Sequence, residues 1–431
     1  MSKAGIAMEY LTAAQLKGAQ KAQCLVVETE KHIMNFETGS VSMFRTSRDL
    51  DVRVTALFDG RRGDISLNGS AAGGLDAAMA ELEASAASAE ADPAWDIAPF
   101  RPPEQRERAV PGPAPETMHA RIKEFYTEAK RLYPGLNFLL AWLSFTSEIK
   151  CLRNSNGLAA ESACGVYELA LVFCTKAAGK TSTFNHFVGS SKDLGRPLLD
   201  WGGLDRLLRE SGEHAAARSL SEKFVGEIVV SPECLWDFFR YIFNDCLKDG
   251  RVISGTSIYR DKLDCPIAHR ELSVRSLPSS PELATGYSLT KDGFMARDLT
   301  LIENGVLKSF ILSSYAAGKT GLPYVSNDGE CYVIEPGRKS FSELIRNVER
   351  GLLVTRFSGA EPNEKGDFSG IAKNSFYIEG GKILFPVSET MISGNIPRML
   401  QEISGISKER VNSGYSIYPW IACAGITVSG K

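Results

Sequence analysis

The chain has 431 residues, enough for two or three domains around a sizeable core. Hydrophobic residues make up 43% and charged residues 23%, the balance of an ordinary globular protein rather than a disordered or fibrous one. A net charge of −3 gives no electrostatic footprint for nucleic acid or an anionic membrane, so neither is an expected partner.

The longest apolar run, Leu136 to Phe145, is broken by Asn137 and Ser144. A spanning helix needs roughly 20 apolar residues, so a buried strand or helix is expected there. The first residues show no apolar stretch of signal-peptide length, and the expected location is cytoplasmic. Nine cysteines, odd in number, widely spaced and without a CxxC pair, read as reduced thiols.

In chain order, Gln23 to Glu30 and His32 to Phe44 carry β-branched and alternating positions and predict strands. Asp51 to Phe58 predicts another, closed by a turn at Asp59-Gly60, with Asp64 to Leu67 pairing back. Leu75 to Glu90 is rich in Ala, Glu and Leu and predicts a helix. Seven prolines between Pro93 and Pro115 predict a linker, because proline fixes φ and removes a donor. Ile122, Phe125, Tyr126, Ala129 and Leu132 then fall at helical spacing before Pro134-Gly135. Strands are expected at Phe138 to Phe145, Ile149 to Asn154 and Tyr167 to Thr175, and a helix at Leu204 to Leu220.

Glu227 to Val230 predicts a short strand. Ser231-Pro232 then supplies a helix start, and that helix is expected to run from about Glu233 to Leu247. Beyond it, short strands and Gly turns dominate. One helix near Phe341 to Arg350 is announced by the capping-box pattern at Ser340 and Glu343. The expected fold class is α+β, with antiparallel sheets in N-terminal α+β domains and a barrel-like or mixed sheet in a strand-rich C-terminal domain. The expected divisions are 1–92, a linker at 93–115, 116–222 (separate, or one lobe with the first), and 223–431.

Local motifs are mostly absent. Segments 178–181 and 317–320 imitate a phosphate-binding loop, but Cys174 and Ser313 stand where its first glycine is needed. The five histidines are scattered, and none forms HExxH or an i, i+4 pair. Glu213-His214 reads as a solvated pair on a charged helix. No GxSxG elbow occurs.

An ordered series occupies the C-terminal third. Thr300 to Lys308 (TLIENGVLK) is followed by Glu335 to Gly337, Glu343 to Ile345, and Gly351 to Thr355. Gly366 to Gly370 (GDFSG) leads into Phe376 to Gly381, Pro386-Val387, Ser393 to Ile396, and Met399-Leu400. Ala424 to Gly430 (AGITVSG) closes it. This order resembles the C-terminal domain of the TldD/PmbA family, related to peptidase U62. Phe36 to Ser42 and Asn154 to Leu158 extend the resemblance upstream, more loosely. Ser375 departs from the glycine usual before the aromatic of its segment.

The resemblance implies a zinc metallopeptidase assembly of two chain types. One type carries HExxxH on a helix, with a later cysteine completing the site. The other, TldE or PmbA, lacks the motif, and this chain is similar to that second type. Arg240, Tyr241 and Asp245 stand at the approximate HExxxH positions. Arginine stays protonated and cannot ligate zinc. Cys423, the one candidate for a third ligand, is expected to be structural.

The expected role is therefore a non-catalytic subunit, inactive alone, with no cofactor of its own and zinc held only by a partner. That partner would be an HExxxH-bearing TldD-like chain, and the substrate an unfolded peptide undergoing maturation or degradation. Gly366, Asp367, Phe368, Ser369 and Gly370 are the candidate peptide-binding segment, because glycine permits close backbone approach. The alternative is a homodimeric peptide-binding or scaffold protein without protease activity.

Overall fold

The computed structural model describes residues 2–37, 39–69, 74–102, 104–108, 112–177 and 179–430. Positions 103 and 109–111 of the expected linker, 38 in the Phe36 to Ser42 segment and 178 in the first loop-like segment lie outside them. The architecture is α+β, with two sheets in two lobes.

The N-terminal lobe is built on long antiparallel strands. Arg61–Asn68, Ser40–Phe58, Lys21–Glu37, Leu136–Asn154 and Ala159–Ala177 lie side by side in that order. The strand expected from His32 to Phe44 is instead two strands, because the chain reverses within it. Gly39 makes the reversal with φ +87°, and a Cβ there would lie 2.7 Å from the Tyr126 ring. The two strands expected at 138–145 and 149–154 are one continuous strand. Its Leu139 and Leu140 are exposed, so the apolar run is only half buried.

The expected linker also contributes structure. Glu104–Arg108 runs parallel to residues 160–164 at the sheet edge. Proline tolerates an edge, and these five residues contain none. Further along the same strand, residues 167–173 pair with Asn185–Ser191.

Helices cover the sheet where its pattern is apolar. Lys3–Leu16, which the sequence reading missed, packs with Gly74–Ser88 on Val26, Val52 and Val54. It is Ala-rich and weakly amphipathic, so its periodicity is faint. Pro115–Leu132 places Met118, Ile122, Phe125 and Ala129 against Met34, Phe36, Leu143 and Leu169. No described helix is long and apolar enough to cross a membrane.

The C-terminal lobe holds a 14-stranded mixed sheet. Its organising strand is Ile417–Ser429, paired with Lys223–Val230, Ile403–Asn412, Met391–Asn395 and, through one parallel bridge, Tyr332–Ile334. Arg350–Val354 lies parallel to Lys223–Val230. The helix Pro232–Arg240 plunges into this core, with Cys234, Leu235, Phe238 and Phe239 buried. The helix expected to reach Leu247 keeps going but loosens into a π-type turn, Tyr241–Cys246.

The lobes are tied by polar contacts. Asn374 accepts a hydrogen bond from Thr183 and donates one to Asn185. Ser190 N donates to Ser413 O at 2.8 Å. Arg218–Ser219 adds a short parallel strand beside Val387-Ser388.

Candidate functional site

Between the lobes lies a cavity of about 870 Å³. One wall is the helix Pro232–Arg240. A 3.6-residue period puts Glu233, Trp236 and Asp237 on one face of it, opposite the buried Phe238-Phe239 face. Asn244, about two turns beyond Asp237, also reaches the cavity. Trp236 is 40% exposed, unusual for a tryptophan inside a cleft. Behind it Tyr332 stacks at 6.0 Å, and Phe243 stacks on Tyr332 at 4.0 Å.

The opposite wall comes from the N-terminal lobe. The helix Leu204–Glu213 buries Leu204, Leu207 and Leu208 and directs Arg206 and Glu210 toward the C-terminal lobe. Arg206 bonds Glu210 at 3.1 Å and also Glu233, so one guanidinium bridges two carboxylates across the lobes. Burial opposes the Arg206 charge, but Glu233 and Glu210 outweigh it and hold the group protonated. Burial likewise pushes the Glu210 carboxyl upward, against the pull of Arg206.

His214 corrects a sequence expectation. The helix ends at Glu213, and His214–Ala216 tightens into a 3-10 turn before the strand Arg218–Ser219. That turn rotates His214 inward, where it is only 6% exposed and lines the cavity. It is not half of a solvated pair. Burial lowers its pKa to about 4, partly offset by the carbonyls of Glu210 and Asn374. Neither ring nitrogen completes a well-formed hydrogen bond among the described residues. His186 also lines the cavity, its pKa lowered by burial and then by Arg356. Burial raises the Asp237 carboxyl, opposed by the Phe357 amide.

The residues at the approximate HExxxH positions do not line this cavity. Arg240 pairs with Glu361. Tyr241 is fully buried and donates its hydroxyl to the Glu364 carbonyl at 2.9 Å. Asp245 is half-buried. Cys423 is buried in the central strand, and burial, then Glu227, pushes its thiol far up. Among the described residues, no group of three His, Cys, Asp or Glu side chains gathers as a metal site.

Segment 366–370 also lies apart from the cavity. Gly366 turns with φ +86° against Pro397 and Tyr241. Asp367 accepts from Asn363 and Asn395, both at 2.9 Å, which holds its carboxyl below the usual range. Phe368 is buried 5.2 Å from Phe238. Ser369 is exposed and pairs with Ser393, while Gly370 packs on Gly359. Gly366 closes a turn just before the strand Asp367–Lys373, and Gly370 sits within that strand opposite Gly359.

The sequence reading missed the cavity residues. Glu233, Trp236 and Asp237 carried a signal, being the polar face of a helix whose other face is aromatic. Lys248, Tyr332 and His214 carried none, because distant segments bring them together.

Comparisons with known proteins agree with this architecture. Residues 224–430 match the sequence family described as PmbA/TldA metallopeptidase C-terminal domain. A metalloprotease of Methanothermobacter thermautotrophicus is 28% identical over 239 residues, covering 51% of this chain and 52% of its own length. Metalloprotease PmbA of Escherichia coli O157:H7 is 27% identical over 187 residues, covering 40% and 41%. The chain thus spans about half the length of these relatives, or less. The crystal structure of TldE from Thermococcus kodakarensis shares the fold with a TM-score of 0.84 at 19% identity, over 98% of this chain and 99% of that one.

Proposed function

Since this chain belongs, through residues 224–430, to the TldD/PmbA family, we propose that it is the zinc-free subunit of a TldD/TldE-type metalloprotease assembly. Its partner would be a TldD-like chain carrying HExxxH, which holds the zinc ion. Its substrate would be an unfolded peptide, part of which lies in the cavity between the lobes.

One observation carries this reading. The helix Pro232–Arg240 and its continuation to Cys246 border the cavity, yet they contain no histidine. Their cavity-facing residues are Glu233, Trp236, Asp237 and Asn244. Glu233 is already committed to Arg206. Such a wall suits binding rather than metal-assisted hydrolysis, which needs three protein ligands and an open position. A chain of this kind supplies the surface that holds and orients peptide, and the reaction itself is borrowed.

The test is zinc content of the purified chain, with proteolysis of an unfolded polypeptide by the chain alone and mixed with an HExxxH partner. The expected result is no zinc in the isolated chain and cleavage only in the mixture. Stoichiometric zinc in the chain alone would overturn the proposal. Size measurement in solution distinguishes a mixed complex from a homodimeric peptide-binding protein.

A further inference from the structure

The end of the cavity near Lys248 has the makings of an anion site. Lys248 follows the π-type turn, lines the cavity and forms no ion pair among the described residues. Burial lowers its pKa, and Lys291 lowers it further. Tyr332, across from it, is buried, and no acceptor among the described residues takes its hydroxyl proton. The Glu330 amide faces its oxygen. A half-buried cation without an ion pair and an unused buried donor are each costly, unless something else completes them.

The two polar atoms converge beside Gly329. A Cβ at this position would lie 2.6 Å from the Tyr332 oxygen and 3.3 Å from the Lys248 nitrogen. A side chain would clash there, so the glycine is what lets the Lys248 nitrogen and the Tyr332 oxygen come together at the cavity wall. The backbone holding it is unusual. Gly329, Glu330 and Cys331 all have positive φ, at +79°, +74° and +49°. Consecutive non-glycine residues in that region cost free energy and persist where the surroundings impose them.

Nearby carboxylates do not already fill the role. Asp328 accepts the Lys291 amide at 2.8 Å, and Asp249 accepts the Ser313 amide at 2.9 Å. Glu330 is exposed and makes no ion pair with Lys248. On the other side of Tyr332, at 6.0 Å, stands the exposed ring of Trp236.

We propose that the Lys248 ammonium and the Tyr332 hydroxyl bind the terminal carboxylate of a peptide, and that Trp236 takes the side chain of that last residue. A terminal residue carries its carboxylate and its side chain on one Cα, which suits two adjacent contacts. An internal Asp or Glu would spend its side chain on Lys248 and leave Trp236 uncovered. An aromatic or large aliphatic last residue fits best, since ring stacking and apolar contact both favour it. This inference rests on the reading of the cavity as a peptide site.

The test is calorimetric titration of the full chain, without partner, using a flexible peptide that ends in Phe. Replacing its carboxylate by an amide is expected to weaken binding about tenfold or more. Lys248→Met should weaken the free acid by a similar factor and leave the amide unchanged. Lys248→Arg should retain most of the affinity. Tyr332→Phe, which removes one oxygen and little volume, should also weaken the free acid alone. Trp236→Ala should weaken the Phe-ending peptide and not an Ala-ending one.

Equal binding of acid and amide overturns the proposal, as does a Lys248→Met loss shared by both. An amidated peptide ending in Asp that matches the free acid overturns recognition of the terminus. If no peptide binds the chain alone while the mixed assembly cleaves, the subsite falls and the subunit reading stands. If the acid binds and the mixture never cleaves, the reverse holds.

Discussion

The imidazole of His214 and the ring of Phe376 sit 4.6 Å apart, centroid to centroid, one from each lobe. Burial favours the neutral imidazole in this contact. Burial has lowered the His214 pKa from 6.5 to about 4 in the folded chain. Between those values the unfolded chain binds a proton that the folded chain refuses, so stability rises with pH there. The contribution is fully present above about pH 6.5 and is lost as pH falls through about 4. Its limit is on the order of 3 kcal/mol. His214→Phe keeps a ring against Phe376 and removes the proton. Denaturation midpoints at pH 7 and pH 5 should differ less in this variant than in the parent chain.

Arg206 gives a second prediction. It neutralises Glu210 and Glu233 together, and all three side chains are largely buried. Arg206→Met would leave two carboxylates without their cation. Loss of about 3 kcal/mol or more is expected, read as a lower urea midpoint. Replacing all three by apolar residues of similar volume should recover most of it, because desolvation of the ions is then avoided.

Gly366→Ala tests the role of segment 366–370. The added Cβ meets Pro397 at 2.6 Å and Tyr241 at 3.0 Å, at a φ of +86°. A stability loss of about 1–3 kcal/mol is expected. If the variant melts like the parent chain while peptide binding falls, the glycine serves a ligand instead of the turn.

The helix Phe341–Asn347 is short and relies on its cap. Ser340 accepts from the Glu343 amide at 3.2 Å, and Glu343 reaches back to the Ser340 amide at 2.6 Å. Ser340→Ala should cost about 1 kcal/mol in chemical denaturation.

That capping box was legible from four residues, because its bonds are local. So were the Asp59-Gly60 turn, the helix face that packs Ile122, Phe125 and Ala129, and the strand core of the C-terminal lobe. The family resemblance was legible for a related reason. Short segments in fixed order, from Thr300 to Gly430, persist as strings even when no single one is diagnostic. The Lys3–Leu16 helix was not legible, because alanine gives helix propensity without a strong face. The reading of two strands at 138–145 and 149–154 failed because a strand can cross a polar stretch when its neighbours on both sides supply the ladder.

The amino-acid sequence by itself determined the α+β class, the order of the C-terminal elements, and the lack of histidine on the helix that borders the cavity. These follow from local propensity, periodicity and residue identity, none of which needs a second segment of chain. Only the tertiary structure decided where that helix points, and which residues meet across the lobes. It turned His214 inward against Phe376, set Arg206 between Glu210 and Glu233, and brought Lys248 and Tyr332 together beside Gly329. The contacts of His214 with Phe376, Arg206 with Glu233 and Lys248 with Gly329 join residues far apart in the chain, and their free energy comes from shared burial. Burial is a property of the assembled lobes and has no signature in any single stretch of sequence.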